Sequence, residues 1–317
     1  MQFRLEHTFK PLEQPIAYSH KVFALGSCFA QNIGQLLQNH RFNLCLNPSG
    51  ILFNPASMAQ ALAQYINPSS FHAQEQLIEN QGLFHSWSHH GQFSNPNKAQ
   101  IEQEITNSLQ EANKALSEAN YLLLTWGSAW VYELNTSKQI VANCHKVPAN
   151  QFTKRLLRVE EIVALYTPLL TTLLNQNKDL KIIWSISPVK YSKDGLHQNN
   201  LSKSVLFLAL NQLQQLFPTS YYFPAFELVQ DELRDYRFYG PDMAHPNQQA
   251  IDYVWEQFKT HCIEPNSLPL LNDIAHLNQA LLHRPLHEGS EEFVKFKKYI
   301  QEKSLEVEGR LEERKRK

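Results

Sequence analysis

KVFALGSCFAQNIGQLL, residues 21–37, contains the change of period that decides the fold. Lys21–Leu25 is an apolar run that stops at Gly26, whereas Phe29, Ile33, Leu36 and Leu37 then recur at helical spacing. A buried strand feeding a helix through Gly26-Ser27 is the first half of a βα unit. Outward from it the alternation continues. Phe42–Leu46 reads as a second strand, followed by the loop Asn47-Pro48-Ser49-Gly50 and a helix marked by Met58, Leu62 and Ile66. Ile101, Ile105, Leu109, Ala112 and Leu116 mark a helix that leads into a third strand, Tyr121–Thr125. Ile162, Leu165, Leu169 and Leu173 mark the next helix, which Pro168 is expected to kink or break. Lys181–Ile186 is a fourth strand, Val205–Phe217 a helix, Tyr221–Pro224 the last strand and Ala250–Phe258 a closing helix. Strands apolar on both faces and separated by helices imply a parallel sheet covered on both sides. The fold class expected is therefore α/β: a three-layer α/β/α sandwich around a parallel five-stranded sheet, within residues 1–264.

Two segments stand outside that alternation. Residues 67–98 are polar, include HSWSHHGQFSNPN (85–97), and read as an inserted loop or small hairpin near the functional face. Residues 265–317 read as a helical, charged extension whose mixed signs at helical spacing suit a solvated helix more than a basic nucleic-acid tail. A formal net charge of −1 in 317 residues supplies no field to gather nucleic acid or an anionic membrane, so neither is expected as a partner. The first ten residues lack the apolar run of a secretory peptide, and the other apolar stretches fall short of a bilayer span. Cys28, Cys45, Cys144 and Cys262 show no paired spacing and read as free thiols of a reducing, cytoplasmic compartment.

In an open parallel sheet, ligands bind beyond the carboxyl ends of the strands, so the residues directly after each strand are the ones to question. Ser27 enters the first helix there. A serine in that place caps a helix or, if a base reaches it, acts as a nucleophile beside backbone N–H groups able to hold an oxyanion. Far downstream, Asp242 precedes His245 by three residues in YGPDMAHPN (239–247), and Pro246 is poised to open the closing helix. A turn of that length returns a carboxylate onto an imidazole, and the order Ser…Asp…His suits a hydrolase built on a parallel sheet.

LGSCFAQNIG (25–34), NPSGILFNP (47–55), TWGSAWVYE (125–133), NCHK (143–146), ISPVK (186–190) and DMAHPN (242–247) together resemble the GSCFA domain family, a branch related to the SGNH/GDSL hydrolases. The likeness runs to about Pro285. It implies a flavodoxin-like sheet and a serine-dependent acyl or acetyl esterase or deacylase, acting on a small-molecule or carbohydrate-like ester without cofactor or metal. By that likeness Ser27 is the nucleophile, His245 the base and Asp242 its orienting acid. The N–H groups of Ser27 and Gly50 serve the oxyanion hole. One block departs: where the relatives carry GxND, this chain has Gly127-Ser128-Ala129-Trp130. Asn143 replaces the missing amide if Trp130–Ile140 folds back as a hairpin. The departure also leaves open a catalytically weak or inactive binding protein on the same fold.

Other residues compete for roles. Cys28 adjoins Ser27 but reads as a small packed residue. His85, His89, His90 and His145 match no metal-binding spacing and read as a solvated or substrate-facing loop, a metal hydrolase being the weakest alternative. Gly127, His145 and Lys146 are candidates for contact with the substrate carbonyl or an anionic part of it. Ser187-Pro188-Val189, Asn47, Asn54 and Tyr239 are further pocket candidates that equally suit turns and caps.

Overall fold

The computed structural model of the chain describes residues 5–282 and 290–316. Its central sheet holds β1 (Lys21–Gly26), β2 (Asn43–Leu46), β5 (Tyr121–Trp126), β9 (Lys181–Ile186) and β10 (Tyr221–Tyr222), in spatial order β10-β9-β5-β1-β2 and all parallel. Counted within this sheet alone, the order is 2-1-3-4-5, the flavodoxin-like doubly wound arrangement, whose switch point lies between β1 and β5. Alternate residues of one strand feed opposite cores. Leu122, Leu124 and Trp126 point to the face covered by α2 (Pro55–Ile66), α4 (Lys98–Ser117), α5 (Val159–Gln176) and α6 (Leu196–Leu216). Tyr121 and Leu123 point to the face covered by α1 (Cys28–Asn39), α8 (Gln248–Cys262) and α9 (Leu268–Leu282). Strands buried on both faces leave no polar side to the sheet, which is why their sequences lack a period of two.

The additions lie at the loop end of the sheet. After a single turn α3 (Ala73–Gln76), residues 67–98 form the hairpin β3 (Leu77–Asn80) and β4 (Leu83–Ser86). Beyond β5, β6 (Trp130–Leu134), β7 (Ile140–Val141) and β8 (Phe152–Leu156) form an antiparallel sheet in the order β7-β6-β8. The two additions are stitched together where Ala142 N–H donates to Trp87 O (2.7 Å), Asn80 Nδ2 to His145 O (2.9 Å), and the Trp87 and Phe152 rings meet edge to face.

Three expectations need correcting. Pro168 neither ends nor splits α5, which runs unbroken from Val159 to Gln176 because Ile162, Tyr166, Leu170 and Leu173 anchor it in the core on both sides of the proline. Leu165 is exposed rather than part of that stripe. The charged tail is not merely solvated: α10 (Glu291–Lys315) buries Val307 and Leu311 with Leu270, Leu271 and Ile274 of α9. Asp273 holds it there through Lys303 (3.3 Å) and Arg310. The expected limit of the family likeness near Pro285 lies outside the described residues. Among the described residues no helix is long and apolar enough to cross a membrane.

Gly26 sits where β1 meets β5, and a Cβ there would lie 2.5 Å from the Thr125 carbonyl oxygen. Backbone cannot yield as a side-chain tip can. Gly26→Ala is therefore expected to lower unfolding free energy by about 2 kcal/mol, read by urea denaturation, with an unchanged midpoint contradicting the close approach.

Candidate functional site

The ends of three neighbouring strands form a row. Gly26 is paired in register with Thr125, and Trp126 with Ile186, so Ser27, Gly127 and Ser187 emerge side by side at the switch point. Ser27 N–H donates to Thr125 O (3.3 Å) and Ser187 N–H to Trp126 O (2.8 Å), carrying the ladder one residue past the strands. Ser27 occupies the N-cap position of α1 with extended backbone, yet its side chain makes no capping bond. The residue is 1% exposed and its Oγ has no hydrogen-bond partner. A buried hydroxyl left unpaired costs about 1–3 kcal/mol, so it asks for an explanation other than capping.

Gly127 lies between that serine and a tyrosine. A Cβ on Gly127 would stand 3.3 Å from Ser27 Cβ and 2.3 Å from Tyr191 Oη, so the phenol and the serine crowd the same glycine. The Phe53 carbonyl accepts from both Gly127 N–H (2.8 Å) and Ser128 N–H (3.0 Å). Tyr191 is held by Asn199 Oδ1, which accepts its N–H (3.0 Å), and burial pushes its phenol up. From α6, Lys203 Nζ donates to Gly127 O and Ser187 O at 2.6 Å each and ties two of the strand ends together.

Asp242 and His245 lie together on the turn that leads into α8. His245 Nδ1 lies 2.5 Å from Asp242 Oδ2, while Asp242 Oδ1 accepts the N–H groups of Ala244 and His245 (3.0 Å each). These bonds, the His245 backbone first, hold the Asp242 carboxyl well below the usual carboxylate range. The turn is closed by Gly240 N–H on His245 O (2.8 Å) and forces Met243 to φ 56°. Its carbonyl at Ala244 accepts from Lys190 N–H (3.1 Å), four residues past β9, which ties the dyad to the same sheet edge as Ser27. Both side chains are 52% exposed, however, and Ser27 Oγ is without a partner, so the imidazole does not touch the serine in this closed arrangement.

The expected oxyanion donors are placed as follows. Ser27 N–H is used by Thr125 O, and Gly50 N–H by Asn47 O (2.7 Å). Trp130–Ile140 does fold back, as β6 pairs with β7, and Asn143 then comes beside Gly91, with its Nδ2 3.7 Å from where a Cβ would sit. Gly50 packs against His90, the neighbour of Gly91, so Gly50 and Asn143 belong to one patch. Asn143 Oδ1 accepts His145 N–H (2.9 Å). Lys146 is exposed at φ 58°.

The histidines correct another expectation. His85, His89 and His145 are buried rather than solvated. His85 stacks on His145 (4.6 Å), His145 Nε2 meets Ser86 O (2.7 Å), and His89 Nδ1 meets Ser86 Oγ (2.8 Å). They pack the β3–β4 hairpin onto its neighbour. Among the described residues no group of three or more His, Cys, Asp or Glu could hold a metal ion. Cys28 is half-buried and burial pushes its thiol up, which disfavours a thiolate nucleophile. Asn54 caps α2 by accepting Ser57 N–H (2.8 Å), Asn47 Oδ1 accepts Gly26 N–H (2.8 Å), and Ser187 and Tyr239 are buried. Pro188 and Val189 continue from Ser187, whose Oγ accepts Val189 N–H (3.3 Å).

Tyr191 and Lys203 escaped the sequence reading. Lys203 carried a usable signal: it shares the helical stripe of Leu206, Leu210 and Leu213, where a lysine is out of place. Tyr191 follows ISPVK directly but has no pattern of its own.

Fold and strand-end row together define a doubly wound α/β protein with a shielded serine at its switch point. The chain belongs to the GSCFA family, whose model matches residues 21–258. Among solved structures, an acetyl xylan esterase (Est2A) from the rumen bacterium Butyrivibrio proteoclasticus is similar at 12% identity, over 77% of this chain and 65% of that one, with a TM-score of 0.39. The chain thus spans slightly under two thirds of that esterase's length. No curated protein matches it.

Burial lowers the pKa of His89 to about 3 and that of His145 to about 4, from an ordinary 6.5. The unfolded chain takes up these protons near 6.5, so it binds more protons than the folded chain as pH falls from there. Stability should accordingly drop with falling pH across the window from 6.5 to about 4, by up to about 1.4 kcal/mol per pH unit for each imidazole. His89→Gln should flatten that slope in urea titrations, and an unaltered slope would show that His89 is not buried neutral.

Proposed function

We propose that the protein is a serine-dependent ester hydrolase, and the observation that carries this reading is the buried, unpartnered Ser27 Oγ at the switch point. A second support is the imidazole already oriented by Asp242 at the same edge. In the reaction, Ser27 Oγ attacks the acyl carbon and gives its proton to His245 Nε2, which passes it to the departing alkoxide. Water then adds to the acyl-serine with the same imidazole as base, and Ser27 and a carboxylic acid are released. Asp242 holds the ring in the tautomer that leaves Nε2 free to accept.

With Ser27 and Gly50 N–H groups committed to backbone carbonyls, oxyanion support falls to Asn143 Nδ2 and the first-turn N–H groups of α1, which no helical carbonyl uses. Tyr191 must swing off Gly127 for substrate and imidazole to reach the serine. An acetyl or other short acyl group suits a site this crowded, and a carbohydrate-like alcohol is the natural partner by likeness to SGNH esterases.

A second reading rests on the committed N–H donors and the absent GxND asparagine: a binding protein that kept the fold and lost hydrolysis. Steady-state hydrolysis of 4-nitrophenyl acetate separates the two. Ser27→Ala is expected to abolish turnover above background, and Asp242→Asn to lower kcat about 100-fold or more. Undiminished turnover in Ser27→Ala would remove Ser27 as nucleophile, and no turnover in the unaltered protein would favour the binding reading.

A further inference from the structure

Lys190 and Lys203 line one small cavity beyond β9, and among the described residues neither forms an ion pair with a carboxylate. The cavity, of about 170 Å³, lies beyond β9 between Pro188, Lys190, Asn199, Lys203, Phe226 and Tyr236. Lys203 is 3% exposed; two of its three N–H donors serve Gly127 O and Ser187 O, and its Nζ stands 5.4 Å from the Tyr191 ring and 5.9 Å from that of Phe226. Lys190 Nζ rests 4.2 Å from the Tyr239 ring and 5.2 Å from Tyr236. Burial pulls both groups down, Lys203 to about 7.

A lone buried amine clamping two carbonyls is a structural device. A second amine on the same cavity, again without an acid, is not needed for that clamp and repels the first. An anion entering the cavity would be attracted to both amines. The cavity also adjoins both halves of the site. Gly127, held by Lys203, packs on Ser27, and Lys190 donates its N–H to Ala244 O, next to His245. Its aromatic walls, Phe226 and Tyr236, and its two single-charge donors suit a flat monoanion better than a tetrahedral dianion.

We propose that this cavity binds a carboxylate carried by the substrate, so that the ester cleaved at Ser27 is an acyl ester of an acidic alcohol. The substrate assignment rests on the esterase reading, whereas the anion site does not. Lys203 and Lys190 would grip the carboxylate while the acyl group lies over Gly127.

The test compares kcat/KM for 4-acetoxybenzoate and its neutral counterpart 4-acetoxybenzamide, with 4-acetoxyphenyl phosphate as a third arm. In the unaltered protein the carboxylate ester should be preferred, and Lys190→Gln should lower the anionic-to-neutral ratio about tenfold. An unchanged ratio overturns the carboxylate site, and a preference for the phosphate ester overturns the choice of carboxylate. Calorimetric titration of 4-hydroxybenzoate into the Ser27→Ala protein supplies a readout without hydrolysis. Binding there that is lost in the Ser27→Ala/Lys190→Gln protein supports the anion site even if no ester is cleaved. Cleavage with no binding and no lysine dependence removes the site and leaves the esterase reading standing.

Discussion

The pair of 2.6 Å bonds from Lys203 to Gly127 O and Ser187 O is the interaction on which the site depends. Parallel strands end with carbonyls that no further ladder partner can satisfy, and at the middle of a doubly wound sheet those ends are buried. An ammonium reaching from α6 satisfies two of them at once. It thereby fixes the spacing of β5 and β9 beyond their last paired residues. Gly127 is held against Ser27 as a result, Phe53 O anchors its N–H, and Tyr191 closes over it. The same clamp places an amine at the edge of a cavity, one glycine away from Ser27.

Two local features here carry an energetic cost. Ser27 Oγ forgoes a hydrogen bond worth about 1 kcal/mol, and Met243 holds a left-handed backbone that non-glycine residues seldom adopt. Local strain of this kind concentrates where a protein binds or reacts. The Asp242–His245 turn is also half exposed, whereas the serine is sealed. The segment from Pro188 to Gly195 lies between them, carrying both Tyr191 and the backbone contact from Lys190 to Ala244. That segment ends at a short turn pinned by Lys154 to Asp194.

The layers were readable in the sequence because strands buried on both faces, such as Tyr121–Trp126 and Lys181–Ile186, have to be apolar runs, and the helices between them show a clean stripe. The Gly26-Ser27 turn and the DxxH pair were readable for the same local reason. What escaped notice depends on contacts distant in sequence. The polar run His85–His90 reads as solvated, yet His85 and His89 are buried, and His85 and Ser86 meet His145 more than fifty residues later. Val307 and Leu311 are two apolar residues in a charged helix and became visible as core only once α9 lay beside them. Local backbone rules alone predict a break at Pro168, and the packing of Tyr166 and Leu170 overrides them. Tyr191 and Lys203 have no motif, because their importance comes from the three strand ends they meet.

The central claim is that Ser27 is a nucleophile shielded by Tyr191 and served by His245. Its most direct test is the rate at which a fluorophosphonate modifies the protein, with the adduct mapped by mass spectrometry, in the unaltered chain and in Tyr191→Ala. A single adduct on Ser27 is expected, formed faster when Tyr191 is shortened and suppressed in His245→Ala. An adduct on another residue, or no adduct in either protein, would contradict it.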